Sequence, residues 1–266
     1  PVSTLSPEGM LLFNSRRSGF NVKSYQINYF NADTFPDDVL PTETNAWVTV
    51  SGLKNSGAPY MGRQAQRSLI VAAMKSGIDV NTDIREEQRQ FNLLATPGYP
   101  ELMPNMIALN NERNNTAFVI GDTPLRLDPQ DILPWASNNN GLGLDTGDGL
   151  VAGNQYMGVF YPSCQTTDLS GSAVVTAPSH MMIRTIIRSD EVSFPWFAPA
   201  GTRRGVVDNA LQLGYINVTT GEFESLGVRQ GLRDVLYENA INPITFIPGV
   251  GITNLGNKTT TSLTTA

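Results

Sequence analysis

The fold is decided by residues 91–124, which read FNLLATPGYPELMPNMIALNNERNNTAFVIGDTP. A short apolar run at 91–95 ends in a Pro-Gly pair, which is typical of a turn. The next apolar residues recur at helical spacing, and they are Leu102, Met103, Met106 and Ile107. A second apolar run, at 117–120, ends in Gly-Asp-Thr-Pro. Strand, helix and strand in this order predict two parallel strands joined by a crossover helix.

The same alternation continues along the chain. We predict helices over residues 64–76, 128–136 and 232–237, a strand over 155–161, and a helix that begins at Pro178. Gly77 is expected to end the first of these helices. In the Pro178 helix the predicted apolar stripe is Met182, Ile183, Ile186 and Ile187, with Arg184 and Arg188 turned away from it. These elements predict an α+β fold with an α/β-like layered core, in which helices flank a mixed sheet.

The domain organisation is predicted from composition. Residues 1–60 are rich in Pro, Asn and Asp, and they contain alternating windows at 25–29 and 46–50 that are typical of half-buried strands. We expect residues 1–60 to be part of an outer β-rich domain with its linker, 61–261 to form the core domain, and 262–266 to be a truncated C-terminal arm. Because the chain starts at Pro1 and ends in a polar run, we also expect a fragment of a longer protein.

Composition excludes several classes of function. The chain has 266 residues and a formal net charge of −6, and nucleic-acid binding depends on clustered Lys and Arg. The lone Cys164 excludes an internal disulfide framework and favours a reducing compartment, and the single His180 excludes the usual Cys/His zinc sets. The longest apolar run, 69–74, is far shorter than the ~18–20 residues of a membrane helix. We therefore predict no nucleic-acid partner, no membrane insertion and no Cys/His zinc site.

Three motifs suggest chemistry, and each is weak. Asp145-Thr-Gly matches the active-site turn of aspartic proteases, but that mechanism needs a second such turn, from the same chain or a dimer mate, and a Gly/Asn-rich run precedes Asp145 in place of an apolar strand. Asp145 and Asp148 among glycines leave weak Ca²⁺ binding open, without the ligand spacing of an EF-hand. Ser179-His180 suggests a hydrolase, yet adjacent residues at a helix start point apart and no Gly-x-Ser-x-Gly elbow is present. Cys164 is expected to be buried, and the sequence predicts that the chain is not an enzyme.

Several charged residues are candidates for contacts between subunits. Arg184 and Arg188 lie one turn apart on the exposed side of the Pro178 helix, Asp190 lies at its end, and Arg203 and Arg204 follow a Pro-Ala-Gly turn. One interpretation is a solvated face with modest ion pairs. The other is an intersubunit contact, where Arg is enriched.

A further set of residues is predicted to form structural turns. Residues 242–259 contain almost nothing that could carry out chemistry and are interpreted as a structural segment. The candidate turn residues, here and upstream, are Pro178, Pro199, Gly201, Pro248, Gly249, Gly251 and Gly256.

A series of short motifs follows one order along residues 117–259. They are a strand ending in Asp-x-Pro at 117–124, a Tyr-rich strand ending in Tyr-Pro at 156–162, an Ala-Pro-Ser helix ending Arg-Ser-Asp at 177–190, Ala-Pro-Ala-Gly at 198–201, Asn-Ala-Ile-Asn-Pro-Ile at 239–244, Pro-Gly-Val-Gly-Ile at 248–252 and Gly-Asn-Lys-Thr at 256–259. In this order they resemble the conserved domain of the tail sheath proteins of contractile-tailed bacteriophages, of the giant-phage, phiKZ-like kind. The sequence departs from the family pattern at His180, Met181 and Met182, at Phe197, and at Leu255 and Lys258.

The resemblance implies a structural function. Sheath subunits form hexameric rings, stacked helically around a tail tube, and the sheath contracts to drive the tube through the host envelope. The implied partners are other sheath subunits, the tube protein, the baseplate and the tail terminator. The implied location is the virion, after assembly in the host cytoplasm, and no cofactor is implied. Lys258 joins the candidate interface residues, and the chain alone is expected to be monomeric. A particle-associated binding or adhesion module is the alternative, with a hydrolase a lesser one.

Overall fold

The computed structural model describes residues 63–137, 150, 153–194, 196–217 and 222–263. The strands predicted at 25–29 and 46–50 and the loop that carries Asp145 and Asp148 lie outside these residues. The chain divides into two units between Val80 and Asn81, and each is described by itself. The predicted domain boundary near residue 60 stays a prediction.

In the first unit, helix α1 spans Arg63–Val80. It continues past Gly77, so the prediction that this glycine ends the helix was wrong. Gly77 does not have the positive φ that a terminating glycine adopts. A single glycine inside a helix is only about 1 kcal/mol less favourable than alanine, which does not stop a helix of this length.

The second unit combines strands and helices in alternation. Its strands are β1 Leu93–Ala95, β2 Phe118–Asp122, β3 Met157–Tyr161, β4 Ser163–Thr167, β5 Ala173–Thr176, β6 Gln212–Ile216, β7 Phe223–Ser225, β8 Ile241–Ile247 and β9 Gly251–Asn254. Its α-helices are α2 Met103–Glu112, α3 Ile132–Ala136, α4 Pro178–Val192, α5 Gly201–Arg204 and α6 Gln230–Glu238. Short 3₁₀ turns precede α2 and α3 and end the described residues at Thr260–Leu263.

Within the described residues, the main sheet has five strands in the spatial order β1-β2-β3-β8-β9. The first four strands run parallel, whereas β9 returns antiparallel to β8, so the sheet is mixed as predicted. Helix α2 joins β1 to β2, and these strands pair in parallel with Leu94 opposite Val119. The strand–helix–strand prediction from residues 91–124 is therefore confirmed, and so is the α+β class.

A second sheet, which in the part of the chain that the structure describes has four antiparallel strands in the order β5-β4-β6-β7, was not predicted. Strand β3 leads directly into it, because the chain resumes as β4 after Pro162. Only the first two residues of β4 are fully buried, so the strand lacks a continuous apolar signal. Its pairing with β6, in which Cys164 lies opposite Leu213, joins residues far apart in sequence and cannot be inferred from local pattern.

The main sheet carries an apolar core on each face. Val119 and Ile120 are neighbours on β2 yet belong to different clusters, and so do Val159 and Phe160 on β3. Successive side chains of a strand point to opposite faces, so each central strand contributes to both cores. Helices α2, α3 and α6 cover one face and α4 covers the other. Because both faces are covered, β2 and β3 are nearly uninterrupted apolar runs.

The buried stripe of α4 differs in part from the predicted one. Met182 and Ile186 are buried as expected, and Met181 is buried as well. Ile187 is 46% exposed, so its place in the predicted stripe was wrong. At about 100° per residue it lies about 140° around the helix from Met182, on the side that faces solvent.

Candidate functional site

A buried carboxylate fixes the start of α4, the helix that carries the candidate arginines. Asp122, at the end of β2, accepts hydrogen bonds from Ser179 N at 2.6 Å, from Ser179 Oγ at 2.8 Å and from Gly98 N at 2.8 Å. These donors include a backbone N–H of the first helical turn, which has no partner within the helix. Burial raises the pKa of Asp122 to about 6, although all three hydrogen bonds act to lower it. Asp122 thus caps α4 from a different element and holds the helix on the sheet.

The exposed side of α4 presents two arginines that share one carboxylate. Arg184 donates from Nε and Nη2 to the two oxygens of Asp208 at 2.8 and 3.1 Å, and Arg188 Nη1 donates to the same group at 3.3 Å. The hydrogen bond from Arg184 is the main cause that lowers the pKa of Asp208. An open groove of ≈ 710 Å³ follows this side of the helix, and Ile187 is among its lining residues. Exposed ion pairs contribute little to folding, so the arrangement chiefly orders a charged surface.

An exposed aromatic cluster follows the end of α4. Phe194 and Trp196 stack at 4.6 Å between ring centroids, with 4° between their planes, and Phe197 lies against both. Trp196 is 75% exposed and Phe194 56% exposed. The guanidinium carbon of Arg204 lies 3.8 Å from the centre of the Phe197 ring, a cation–π contact. Exposed aromatic and arginine side chains are the types enriched in protein–protein interfaces.

The remaining charged candidates are distributed around this cluster. Arg203 is exposed in α5, which contacts α4, and Asp190 is exposed near the end of α4. Lys258 lies elsewhere, with Nζ 3.7 Å from the centre of the Tyr237 ring and donating to Tyr237 O at 2.9 Å. Tyr237 belongs to α6, on the opposite face of the sheet from α4. The structure therefore places five of the candidates near one another on the α4–α5 side and Lys258 apart from them.

The candidate turn residues lie at chain reversals and close approaches. Pro178 is the first residue of α4. Gly201, Gly249 and Gly251 have φ values of 78°, 82° and 110°, a region in which residues with a Cβ are strained. Pro248 and Gly249 belong to the turn between β8 and β9. Pro199 contributes a carbonyl that accepts a hydrogen bond from Asn254 Nδ2 at 2.9 Å.

The β8–β9 hairpin is also covered along its outer edge. Val207 N donates to Ile252 O at 2.8 Å and Asn254 N donates to Gly205 O at 2.7 Å. A Cβ on Gly205 would lie 2.3 Å from Asn254 O, so only glycine permits this approach. Part of the edge of β9 is therefore paired within the chain.

The groups that suggested catalysis do not assemble into a site within the described residues. Ser179 is buried and bonded to Asp122, whereas His180 is exposed, so the two side chains point apart as expected. Cys164 is buried as predicted, its Sγ lies 2.9 Å from Thr176 Oγ1, and burial raises the pKa of the thiol to about 11. In the part of the chain that the structure describes, no three His, Cys, Asp or Glu side chains group as metal ligands. None of the helices described is both long and apolar enough to cross a membrane.

Two residues that organise this region were not predicted from the sequence. Asp208 organises both arginines of α4, but it lies 20 and 24 residues away from them, and nothing local marks the pairing. In the sequence, Asp122 stands out only as part of a strand-ending Asp-x-Pro motif. Its position at the end of an apolar strand is a usable signal, because a carboxylate that is buried there needs hydrogen-bond donors from neighbouring elements.

Together these features define an α+β domain with an exposed arginine and aromatic surface, a class suited to binding other proteins. Comparison with known proteins confirms the resemblance found in the sequence. The chain is 40% identical over 76 residues to the tail sheath protein of Enterobacteria phage T4 and 33% identical over 78 residues to that of Vibrio phage KVP40. Each match covers 29% of this chain and only 10% of the relative. No family model matches the chain, and the phiKZ-like detail stays a prediction.

Two solved structures align with part of this chain. The sheath complex of an extracellular contractile injection system, PVC, in its contracted state aligns with a TM-score of 0.45 and 18% identity, over 71% of this chain and 43% of that one. The contracted helical sheath of the anti-feeding prophage aligns with a TM-score of 0.42 and 17% identity, over 76% and 47% of the two chains.

Proposed function

We propose that this chain is part of a structural subunit of a contractile tail sheath. The observation that carries the proposal is the 40% identity with the T4 tail sheath protein over 76 residues. Because the matched segment spans 10% of that relative, the behaviour of the whole protein is itself part of the proposal. The subunit would polymerise as stacked hexameric rings around a tail tube, and contraction would drive the tube through the host envelope.

The proposed role is mechanical, and the chain is proposed not to be an enzyme. Contraction requires a subunit that keeps its own fold while its contacts with neighbours change between two packings. The layered domain suits this requirement, because apolar cores on both faces of the sheet hold it as one body. Head-to-tail contacts that do not close on themselves produce an open helical array.

The α4–α5 surface is the proposed contact with a neighbouring subunit. Arg184, Arg188 and Asp190 lie on α4, and Arg203 and Arg204 lie on α5 beside the exposed aromatic rings. Lys258, on the other side of the sheet, would belong to a different contact. The further partners are the tube protein, the baseplate and the tail terminator. The proposed location is the virion, with assembly in the host cytoplasm.

Assembly of the full-length protein tests this proposal. Expressed alone, it should form hollow tubes of uniform diameter, visible by negative-stain electron microscopy. The double variant Arg203→Glu, Arg204→Glu should keep the wild-type circular dichroism spectrum and lose most tubes. The matched control Arg233→Glu alters a partly buried arginine of α6 on the opposite face and should leave an α4–α5 contact intact. A wild-type protein that stays monomeric under all salt and protein concentrations would contradict the proposal.

A further inference from the structure

The residues that follow the β8–β9 hairpin are held by side chains in place of a partner strand. After Asn254 the chain forms no regular strand until the 3₁₀ turn at Thr260–Leu263. Alternate residues of this segment nevertheless face the domain. Gly256 and Thr260 are buried, whereas Asn257 between them is exposed.

Asn254 binds both backbone polar groups of Gly256. Its Nδ2 donates to Gly256 O at 2.9 Å, and its Oδ1 accepts from Gly256 N at 3.2 Å. The same Nδ2 donates to Pro199 O at 2.9 Å. The side-chain amide of Asn254 thus makes the two hydrogen bonds to Gly256 that the backbone of a neighbouring strand would make. It also joins this segment to Pro199, just before α5.

Asn242, on β8, binds Lys258 in the same way, two residues after Gly256. Its Nδ2 donates to Lys258 O at 2.8 Å, and its Oδ1 accepts from Lys258 N at 2.8 Å. Nδ2 also donates to Val159 O on β3 at 3.1 Å. Asn242 and Asn254 are 1% and 0% exposed, so their amides are satisfied within the protein.

Glycines provide the space for this packing. A Cβ on Gly256 would lie 2.4 Å from Asn242 Oδ1 and 2.7 Å from Asn242 Cα. A Cβ on Gly158 would come within 3.5 Å of both Asn242 Nδ2 and Lys258 O. A third attachment follows at Thr260, whose Oγ1 accepts from Asn154 N and donates to Asn154 O, both at 3.0 Å.

Buried amides are costly unless all of their hydrogen bonds are made, and an apolar side chain would fill the same space without that requirement. Two asparagines that each bind both polar groups of one residue fix the register of the segment residue by residue, which apolar packing does not do. We propose that Asn242 and Asn254 are positioning residues that form a clamp on residues 256–258 and set the direction in which the chain leaves the sheet. We expect loss of this fixed course to impair assembly of the full-length protein, a step that rests on the proposed function.

Trypsin tests the clamp directly, because Lys258 is itself a cleavage site and its backbone is held by Asn242. The wild-type chain of residues 1–266 should resist cleavage after Lys258 as long as the domain is folded. Asn242→Asp keeps the acceptor but sets a carboxylate against two carbonyl oxygens. It should accelerate release of residues 259–266 by about tenfold to hundredfold, as expected when local opening loses one or two buried hydrogen bonds.

The control variant is Asn257→Ala, which alters an exposed residue of the same segment and should cleave like the wild type. Cleavage after Arg203, in the exposed helix α5, serves as an internal reference for the folded state of each variant. Equal rates of cleavage after Lys258 in Asn242→Asp and the wild type would overturn the clamp.

Hydrogen exchange gives a second test that needs no variant. In the wild type the amides of Gly256 and Lys258, bonded to asparagine side chains, should be protected as strongly as those of β9. Exchange as fast as an exposed loop amide would overturn the clamp even if Asn242→Asp fails to fold.

The role in assembly is tested separately in the full-length protein. If the wild type forms tubes, Asn242→Asp should fail to do so while Asn257→Ala assembles normally. Normal tubes from a variant whose Lys258 is readily cleaved would overturn the assembly role. Failure of the wild type to form tubes would contradict the proposed function, and the proteolysis and exchange results would still decide on the clamp.

Discussion

The buried carboxylate of Asp122 gives the most quantitative prediction, because two opposing effects act on it. Three hydrogen-bond donors favour the ionised form, whereas burial among apolar residues disfavours it. Burial is the larger effect, so the pKa of Asp122 is raised from 3.8 to about 6 in the folded protein. The unfolded chain therefore releases this proton at a lower pH than the folded one does.

The sign of the pH dependence follows from this difference. Below pH 3.8 the carboxyl is neutral in both states, and the folded protein has its full stability with respect to this group. Between that pH and about 6 only the unfolded state ionises, so the free energy of unfolding falls by about 1.4 kcal/mol per pH unit. The total loss is about 3 kcal/mol, and it is complete above the folded pKa.

Comparison with Asp122→Asn isolates the effect, because this side chain does not titrate and other groups cancel in the difference. The free energy of unfolding, from urea titrations followed by the fluorescence of buried Trp135, should decrease by about 2.4 kcal/mol more in the wild type than in the variant between pH 4 and pH 7, because the first part of the total loss already lies below pH 4. A stability difference between wild type and variant that stays constant with pH would show that burial and the hydrogen bonds cancel, and one that shifts in favour of the wild type as pH rises would show that the hydrogen bonds outweigh burial. Either result would refute the reasoning.

Three further perturbations test the packing of the domain. Met182→Ala, at a fully buried position of α4, should lower the free energy of unfolding by about 2–5 kcal/mol in urea titrations. Ile187→Ala, at an exposed position of the same helix, should lower it by less than about 1 kcal/mol. Similar losses in the two variants would contradict the assignment of the helix faces. Gly205→Ala should destabilise the protein, because the new Cβ would lie 2.3 Å from a backbone oxygen. Gly231→Ala, in α6, has open space around its Cβ and should be neutral or stabilise the protein by up to about 1 kcal/mol. A higher melting temperature for Gly205→Ala than for Gly231→Ala would refute this contrast. Cys164 should react with a thiol reagent only after unfolding, because burial holds its pKa near 11, and rapid labelling of the native chain would contradict that burial.

The parts of the fold that could be predicted are those whose signal is local. Strands β2 and β3 are buried on both faces, so each is a short apolar run that ends at a turn, and α2 repeats apolar residues at helical spacing. The four-stranded sheet was missed because its strands are short and partly polar, and their pairing depends on residues about 50 positions apart, such as Cys164 and Leu213.

The candidate site shows the same division. Exposure of Arg184 and Arg188 follows from helix periodicity, and the positive φ of Gly249 and Gly251 suits the glycine-rich turn in the sequence. Asp208 could not be predicted as the shared partner of the arginines, because a salt bridge between distant elements has no local pattern. Asn242 looked like one polar residue of an apolar strand, and only the folded chain brings the backbone of Lys258 to its amide.

The central claim is that this domain is the repeating unit of a contractile sheath. The most direct measurement is a cryo-electron microscopy reconstruction of the tubes or tails that contain the full-length protein. We predict a helical array of hexameric rings, in which residues 81–263 fit the density of each subunit and the α4–α5 surface contacts a neighbouring copy. Density in which this domain is absent from the layer around the tube, or projects from the particle without contacting other copies, would contradict the account.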